Sequence, residues 1–202
     1  MSMMTPAAMA LATVAMMVAM MLPSIAPTVW RHHRHLRAAR VSRAAQRTML
    51  FTAGYASIWA AVGVALFACS AGLSPVGMPS LTDPPFARRA TAAIVVGAGA
   101  LQCSRWKVKH LLRCRQSCVP GSVAPRQVIT AWRDGCQLGI HCALSCAAPM
   151  AVLLAAGLMN TRMMLVAAAV ITAERVAPAG ARIALVTGAL AILAGSVMFL
   201  TV

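Results

Sequence analysis

Six times in 202 residues the chain runs apolar for nearly the length, or the full length, that a helix needs to cross the hydrocarbon core of a bilayer, about 20 residues. A water-facing protein cannot hide that much hydrocarbon. The pattern therefore predicts an all-α fold, a polytopic transmembrane helix bundle of about six spans. The runs fall at about 6–29, 49–73, 90–112, 134–159, 163–177 and 183–202. Nothing between them is long enough to fold alone, so residues 1–202 are expected to form a single helical domain. With 60% hydrophobic and 10% charged residues, there is too little polar material to cover a surface in water.

Local signals set the expected ends. Pro23 and Pro27 are expected to close the first run, since proline removes a helical donor. The first run lacks a basic segment ahead of it and reads as a retained span, not a cleaved leader. A charged connector, WRHHRHLRAARVSRAAQR, follows it. Residues 74–88 are rich in Pro and Gly and should break the chain before a third span at about Ala90–Gln102. Its basic continuation, CSRWKVKHLLRCRQSC, is expected to stay helical past the membrane surface until Pro120-Gly121 stops it. Asn160-Thr161-Arg162 leaves only a tight turn between the fourth and fifth runs. Small residues four apart, Gly135/Gly139, Ala184/Gly188 and Ala191/Gly195, would let helix backbones approach closely.

The chain holds 18 Lys and Arg against three acids, Asp83, Asp134 and Glu174, for a net charge of +15. In a soluble protein that balance would suggest nucleic acid. Here the charges fall in short loops beside apolar runs, where they report orientation. The loops after runs one, three and five carry six, seven and two cations, and those after runs two and four carry Arg88, Arg89 and Arg162. The heavy side should be cytoplasmic and both termini outside, with no nucleic-acid partner. Arg31, Arg34, Arg37, Arg105, Lys107 and Lys109 are expected to meet anionic lipid headgroups or an acidic partner, at about 1 kcal/mol each.

The fourth run, DGCQLGIHCALSCAAPMAVLLAAGLM, carries the chemistry. On a helix Cys142, Cys146 and Met150 lie one above another, four residues apart. His110 and Cys114 have the same spacing on the continuation of the third run, and Met16, Met17, Met20 and Met21 crowd the end of the first. Seven cysteines are an odd number, and on this topology most face a reducing compartment, so thiols and not disulfides are expected. Thiolate, thioether and imidazole together suit copper(I) or zinc, and the scarcity of carboxylates argues against Mg, Ca or Mn. The expected ligands are His110, Cys114, Cys142 and Cys146, with Met20 and Met150 as secondary sulfur contacts. Buried Cys and Met also serve as plain packing. Cys69 reads that way, and His32, His33 and His35 read as part of a solvated or headgroup-binding loop.

Ala19–Pro23 (AMMLP), Gly54-Tyr55 with Trp59, and Lys107/His110/Cys114/Arg115 form an ordered series of motifs. It continues through Gly135/Gly139/Cys142/Cys146/Met150, Gly157–Asn160 (GLMN), Met164 and Glu174-Arg175. This series resembles a family of multi-span bacterial proteins described as predicted metal-binding integral membrane proteins of unknown biochemical function. The resemblance runs over nearly the whole chain and implies a bacterial inner (cytoplasmic) membrane. Where the family is expected to show Cys-x-x-x-Cys after the third span, this chain has His110 and Cys114. Where Gly-Cys-Cys-Trp is expected, it has Leu144-Ser145-Cys146-Ala147, one cysteine and a tryptophan fewer.

Two functions follow. The first is binding of a soft metal ion, copper before zinc, for handling, delivery or transport. The alternative is a non-catalytic structural or assembly subunit of a larger membrane complex, in which the sulfur side chains only pack. No phosphate loop, HExxH or Gly-x-Ser-x-Gly element is present, so no enzyme is expected.

Overall fold

The structure, a computed structural model, describes residues 6–73, 84–116, 128–156 and 161–201. Seven helices and no strand occur among them: α1 Pro6–Ala38, α2 Ala44–Leu73, α3 Pro84–Gln102, α4 Arg105–Gln116, α5 Val128–Ala156, α6 Thr161–Val176 and α7 Gly180–Leu200. Four are long and apolar enough to cross a membrane, over Ala7–Ala38, Ala44–Ala68, Thr130–Leu153 and Gly180–Leu200. The third and fifth apolar runs fall short of that standard. Helix α3 has 19 residues and carries Arg88 and Arg89 near its start, and α6 has 16 with Arg162 at its head.

Several boundaries differ from the sequence expectation, with α2 and α5 starting five and six residues early, at Ala44 and Val128. Helix α1 continues through Pro23 and Pro27 and on through the arginine-rich connector to Ala38. A proline removes one donor from a helix that is otherwise held by packing, and Met17, Met21 and Ile25 around these prolines are at most 2% exposed. Helix α3 starts at Pro84, where fixed φ and a missing N–H suit the first turn. The basic continuation is a separate helix, because the chain turns at Cys103–Ser104 before α4 begins. The expected stop at Pro120-Gly121 and the GLMN segment lie outside the described residues.

The chain packs as two compact units, Met1–Gly72 with Arg113–Ala143, and Leu73–Leu112 with Leu144–Val202. In the first, α1 and α2 run antiparallel, with Val14 against Gly63 and, at the other end, His33 Nδ1 3.2 Å from Thr48 Oγ1. His32 stacks on Phe51 at 4.6 Å, so these two histidines serve packing between helices. Helix α2 and the first part of α5 run parallel and close. A Cβ on Gly135 would strike the Phe51 backbone, and one on Gly54 would strike the Trp132 carbonyl. Both positions admit only glycine at this separation.

In the second unit α3 and α7 run antiparallel from Ala92 against Gly195 to Cys103 against Leu185. Gly99 and Gly188 face each other where the two backbones come nearest. Beyond Arg182 in its first turn, the remaining surface of α7 is mostly hydrocarbon, with Leu185, Val186, Leu190, Leu193, Val197 and Phe199 all exposed.

Candidate soft-metal centre

Helix α5 buries one stripe. Leu138, Cys142, Cys146 and Met150 recur every fourth residue and are 0%, 0%, 3% and 7% exposed, while Ala147 on another face is open. The repeat of 3.6 residues per turn dictates this alignment, and side chains four apart have Cβ atoms about 5–6 Å from each other. Two thiols at that spacing can share one ion. The boundary between the compact units falls at 143/144, so Cys142 belongs to the first and Cys146 to the second.

Within the first unit the Tyr55 hydroxyl lies 3.3 Å from Cys142 Sγ, both residues being buried. The glycine-mediated approach of α2 to α5 brings them together. Either atom can be the donor, and a hydroxyl at this distance holds the sulfur in one place on the α5 stripe. Cys136, one and a half turns earlier, is engaged elsewhere: its Sγ donates to the Gly54 carbonyl at 3.5 Å. Met20 and Cys114 are also buried in this unit, at 8% and 1% exposure.

Helix α4 has its own stripe. Lys107, His110, Leu111 and Cys114 are buried, while Arg105, Lys109 and Arg113 are exposed. His110 meets the Trp106 ring edge-on at 4.6 Å. Among the described residues, no three of His, Cys, Asp and Glu gather closely enough to hold a metal. Tetrahedral zinc needs four such donors, and nothing among these residues supports zinc. Copper(I) accepts fewer ligands and takes thioether sulfur as well, so a thiol pair with methionine suits it.

The second unit also contains a polar cluster that the sequence reading did not find. Lys107 Nζ donates to Glu174 Oε2 at 2.7 Å, and the two side chains are 2% and 4% exposed. Gln102 Nε2 donates to Glu174 Oε1 and lies 3.1 Å from Thr187 Oγ1. Lys107 thus sits inside the protein, whereas the sequence grouped it with the lipid-facing cations; the stripe on α4 carries its side chain inward. The other five, Arg31, Arg34, Arg37, Arg105 and Lys109, are exposed. Arg34 lies over the exposed Trp30 ring, 4.7 Å from its centroid. Cys103, which is not in a disulfide, points its thiol at the Leu185 carbonyl at 3.8 Å. The Cys69 side chain and all of Cys118 lie outside the described residues.

No curated protein and no solved structure matches this chain. The model of a family described as PpoB2: Copper chaperone matches residues 10–198, nearly the full length, and the chain belongs to that family.

Proposed function

We propose that this member of the copper chaperone family is a polytopic membrane protein that carries copper(I) as cargo on buried thiols and passes it to an acceptor. On helix α5, Cys142 and Cys146 supply the thiolates and Met150 a thioether, and Met20, His110 and Cys114 are further donors for transfer. The observation that carries the reading is the buried stripe Cys142, Cys146, Met150 on α5 in a chain of this family. Two thiolates and a neutral thioether satisfy a soft monovalent ion, and ligand exchange between sulfur atoms moves it without redox chemistry. No reaction is catalysed in this reading.

Placement in a bilayer is supported by α7, whose exposed side chains beyond Arg182 in the first turn are mostly apolar and which is little covered by protein, the signature of a helix solvated by hydrocarbon. Helix α3 packs along α7 from Ala92 to Cys103, so if α7 crosses, α3 lies at the same depth beside it. Helix α6 joins them through Glu174 and Thr187. Six crossings restore the charge asymmetry, with fifteen cations on one side against three. That puts the basic segments in the cytoplasm, both termini outside, and the membrane as the bacterial inner membrane. The exposed arginines Arg31, Arg34 and Arg37 then lie among anionic headgroups.

The test is a competition titration of the full chain, purified in detergent under reducing, anaerobic conditions, against a chromogenic copper(I) chelator. Wild type should hold copper(I) in stoichiometric amount. The Cys142→Ser/Cys146→Ser variant should lose it, and Cys103→Ser should not. Wild-type protein that gives all its copper to the chelator, or a double variant that retains it, would overturn the proposal.

A further inference from the structure

The second unit contains a cavity of about 200 Å³ with walls from α3, α5, α6 and α7. Apart from Gln102 and Thr187, the residues lining it carry hydrocarbon or thioether side chains or none. The Gln102 amide nitrogen and the Thr187 hydroxyl are both engaged with Glu174. An ordered water needs two to four polar partners, and cavities that do not offer them stay dry and take apolar molecules instead.

Helix α6 brings the cavity to the surface. The space is only partly enclosed, and the two exposed members of its lining are Met163 and Val166, at 40% and 59%, which puts the mouth along this helix. From Met163 to Val170 the α6 wall is about 10 Å long at 1.5 Å per residue, the better part of one hydrocarbon leaflet.

A cation stands at one end of this wall. Val166 and Val170 both line the cavity, so the row of every fourth residue through them faces it, and one turn before Val166 that row reaches Arg162. Arg162 is exposed. Helical side chains lean toward the N-terminus, so its guanidinium extends past the head of α6 and beyond the cavity, not into it. A hydrocarbon slot ending at an arginine complements a molecule with an apolar chain and an anionic head, and a guanidinium pairs with phosphate through two hydrogen bonds.

We infer that the second unit binds one anionic phospholipid, with an acyl chain in the cavity along Leu153, Val166 and Val170 and the phosphate on Arg162. The inference rests on the bilayer placement proposed above. It is independent of copper handling, since none of the proposed copper ligands lines the cavity.

The full chain would be placed in phosphatidylcholine nanodiscs with a trace of phosphatidylglycerol bearing a mid-chain diazirine, or of phosphatidylcholine bearing the same chain. After irradiation the labelled residues are mapped by mass spectrometry. The informative positions are Ala98 and Leu153, lining residues that are 4% and 2% exposed and so out of reach of bulk lipid. Phosphatidylglycerol should label them about fivefold more than phosphatidylcholine, the ratio that one cation near the surface supports. Arg162→Gln should bring the two lipids level. Ala167→Phe, which fills the cavity from a half-exposed wall position, should abolish label at Ala98 and Leu153 from both lipids while the exposed Leu193 and Val197 on α7 stay labelled. Those two residues separate the outcomes. If they take no label, the bilayer placement fails and the lipid site with it. If they are labelled while Ala98 and Leu153 are not, if the cavity signal survives Ala167→Phe, or if the two lipids label wild type equally, the lipid site alone is overturned.

Discussion

Replacing Glu174 with glutamine tests the buried polar cluster most severely, because it removes the charge opposite Lys107 and changes little else. The pair is almost wholly shielded, with side chains 2% and 4% exposed. An ammonium left alone there would be forced to shed its proton. Lowering a lysine from its ordinary range to neutrality costs about 1.36 kcal/mol per pH unit, or about 4.6 kcal/mol at pH 7, which caps the loss. Removing one partner of a buried pair typically costs about 3–5 kcal/mol. The reverse change is milder. In Lys107→Met, Glu174 keeps the donors Gln102 Nε2 and Thr187 Oγ1, and a carboxylate neutralises at pH 7 for at most about 3.7 kcal/mol. The double variant Lys107→Met/Glu174→Gln leaves no unpaired charge and should be more stable than Glu174→Gln alone. For a chain of this size each kcal/mol moves the midpoint by about 2–4 °C, so Glu174→Gln should lower it by roughly 10 °C. Thermal unfolding in detergent, followed by tryptophan fluorescence, gives the order. A Glu174→Gln midpoint equal to wild type, or a double variant whose loss equals the sum of the two single losses, would refute the account of the cluster.

Three other outcomes follow from particular contacts. Gly135→Val places a branched side chain against the Phe51 backbone and should cost about 3 kcal/mol or more, read as a fall in midpoint or in yield of monodisperse protein, whereas Gly97→Ala, where nothing lies within 4 Å, should cost about 1 kcal/mol or less. Tyr55→Phe removes the hydroxyl 3.3 Å from Cys142 Sγ and should weaken copper(I) retention about tenfold in the chelator competition, leaving the stoichiometry intact; an unchanged affinity would remove Tyr55 from the site. Charge reversal at Arg31, Arg34 and Arg37 should strip anionic lipid from the purified protein, as seen in a phospholipid extract of each variant, and an unchanged extract would show that these exposed cations hold no headgroups.

The helices themselves were legible because apolar runs report burial directly, and the positions of α2, α5 and α7 follow from them. Boundaries were less so. Pro23 and Pro27 looked like stops because local rules price only the lost donor, whereas burial of Met17, Met21 and Ile25 around them favours continuing α1. The spacing Gly135/Gly139 announced a close contact but not its partner. Phe51 and Ile58 are supplied by a helix some eighty residues away, running parallel, and no local pattern encodes that choice. For the same reason Tyr55 could be noticed as a residue but not as the neighbour of Cys142, from which 87 positions separate it.

Lys107 is the informative case, since its placement was written in the sequence at a scale that charge counting ignores. In RWKVKHLLRCRQ the apolar or soft residues His110, Leu111 and Cys114 stand three, four and seven positions after Lys107, the repeat of one helix face. Arg105, Lys109 and Arg113 stand off that face. Taken by periodicity, the segment is an amphipathic helix with a lysine on its buried stripe, and such a lysine needs an acid. The chain offers three acids in all, so the search for a partner is short, and the one that meets Lys107 is Glu174, buried in the last turn of α6. The step that sequence cannot take is the last one. Gln102 and Thr187 close the cluster because α3 and α7 meet across Gly99 and Gly188.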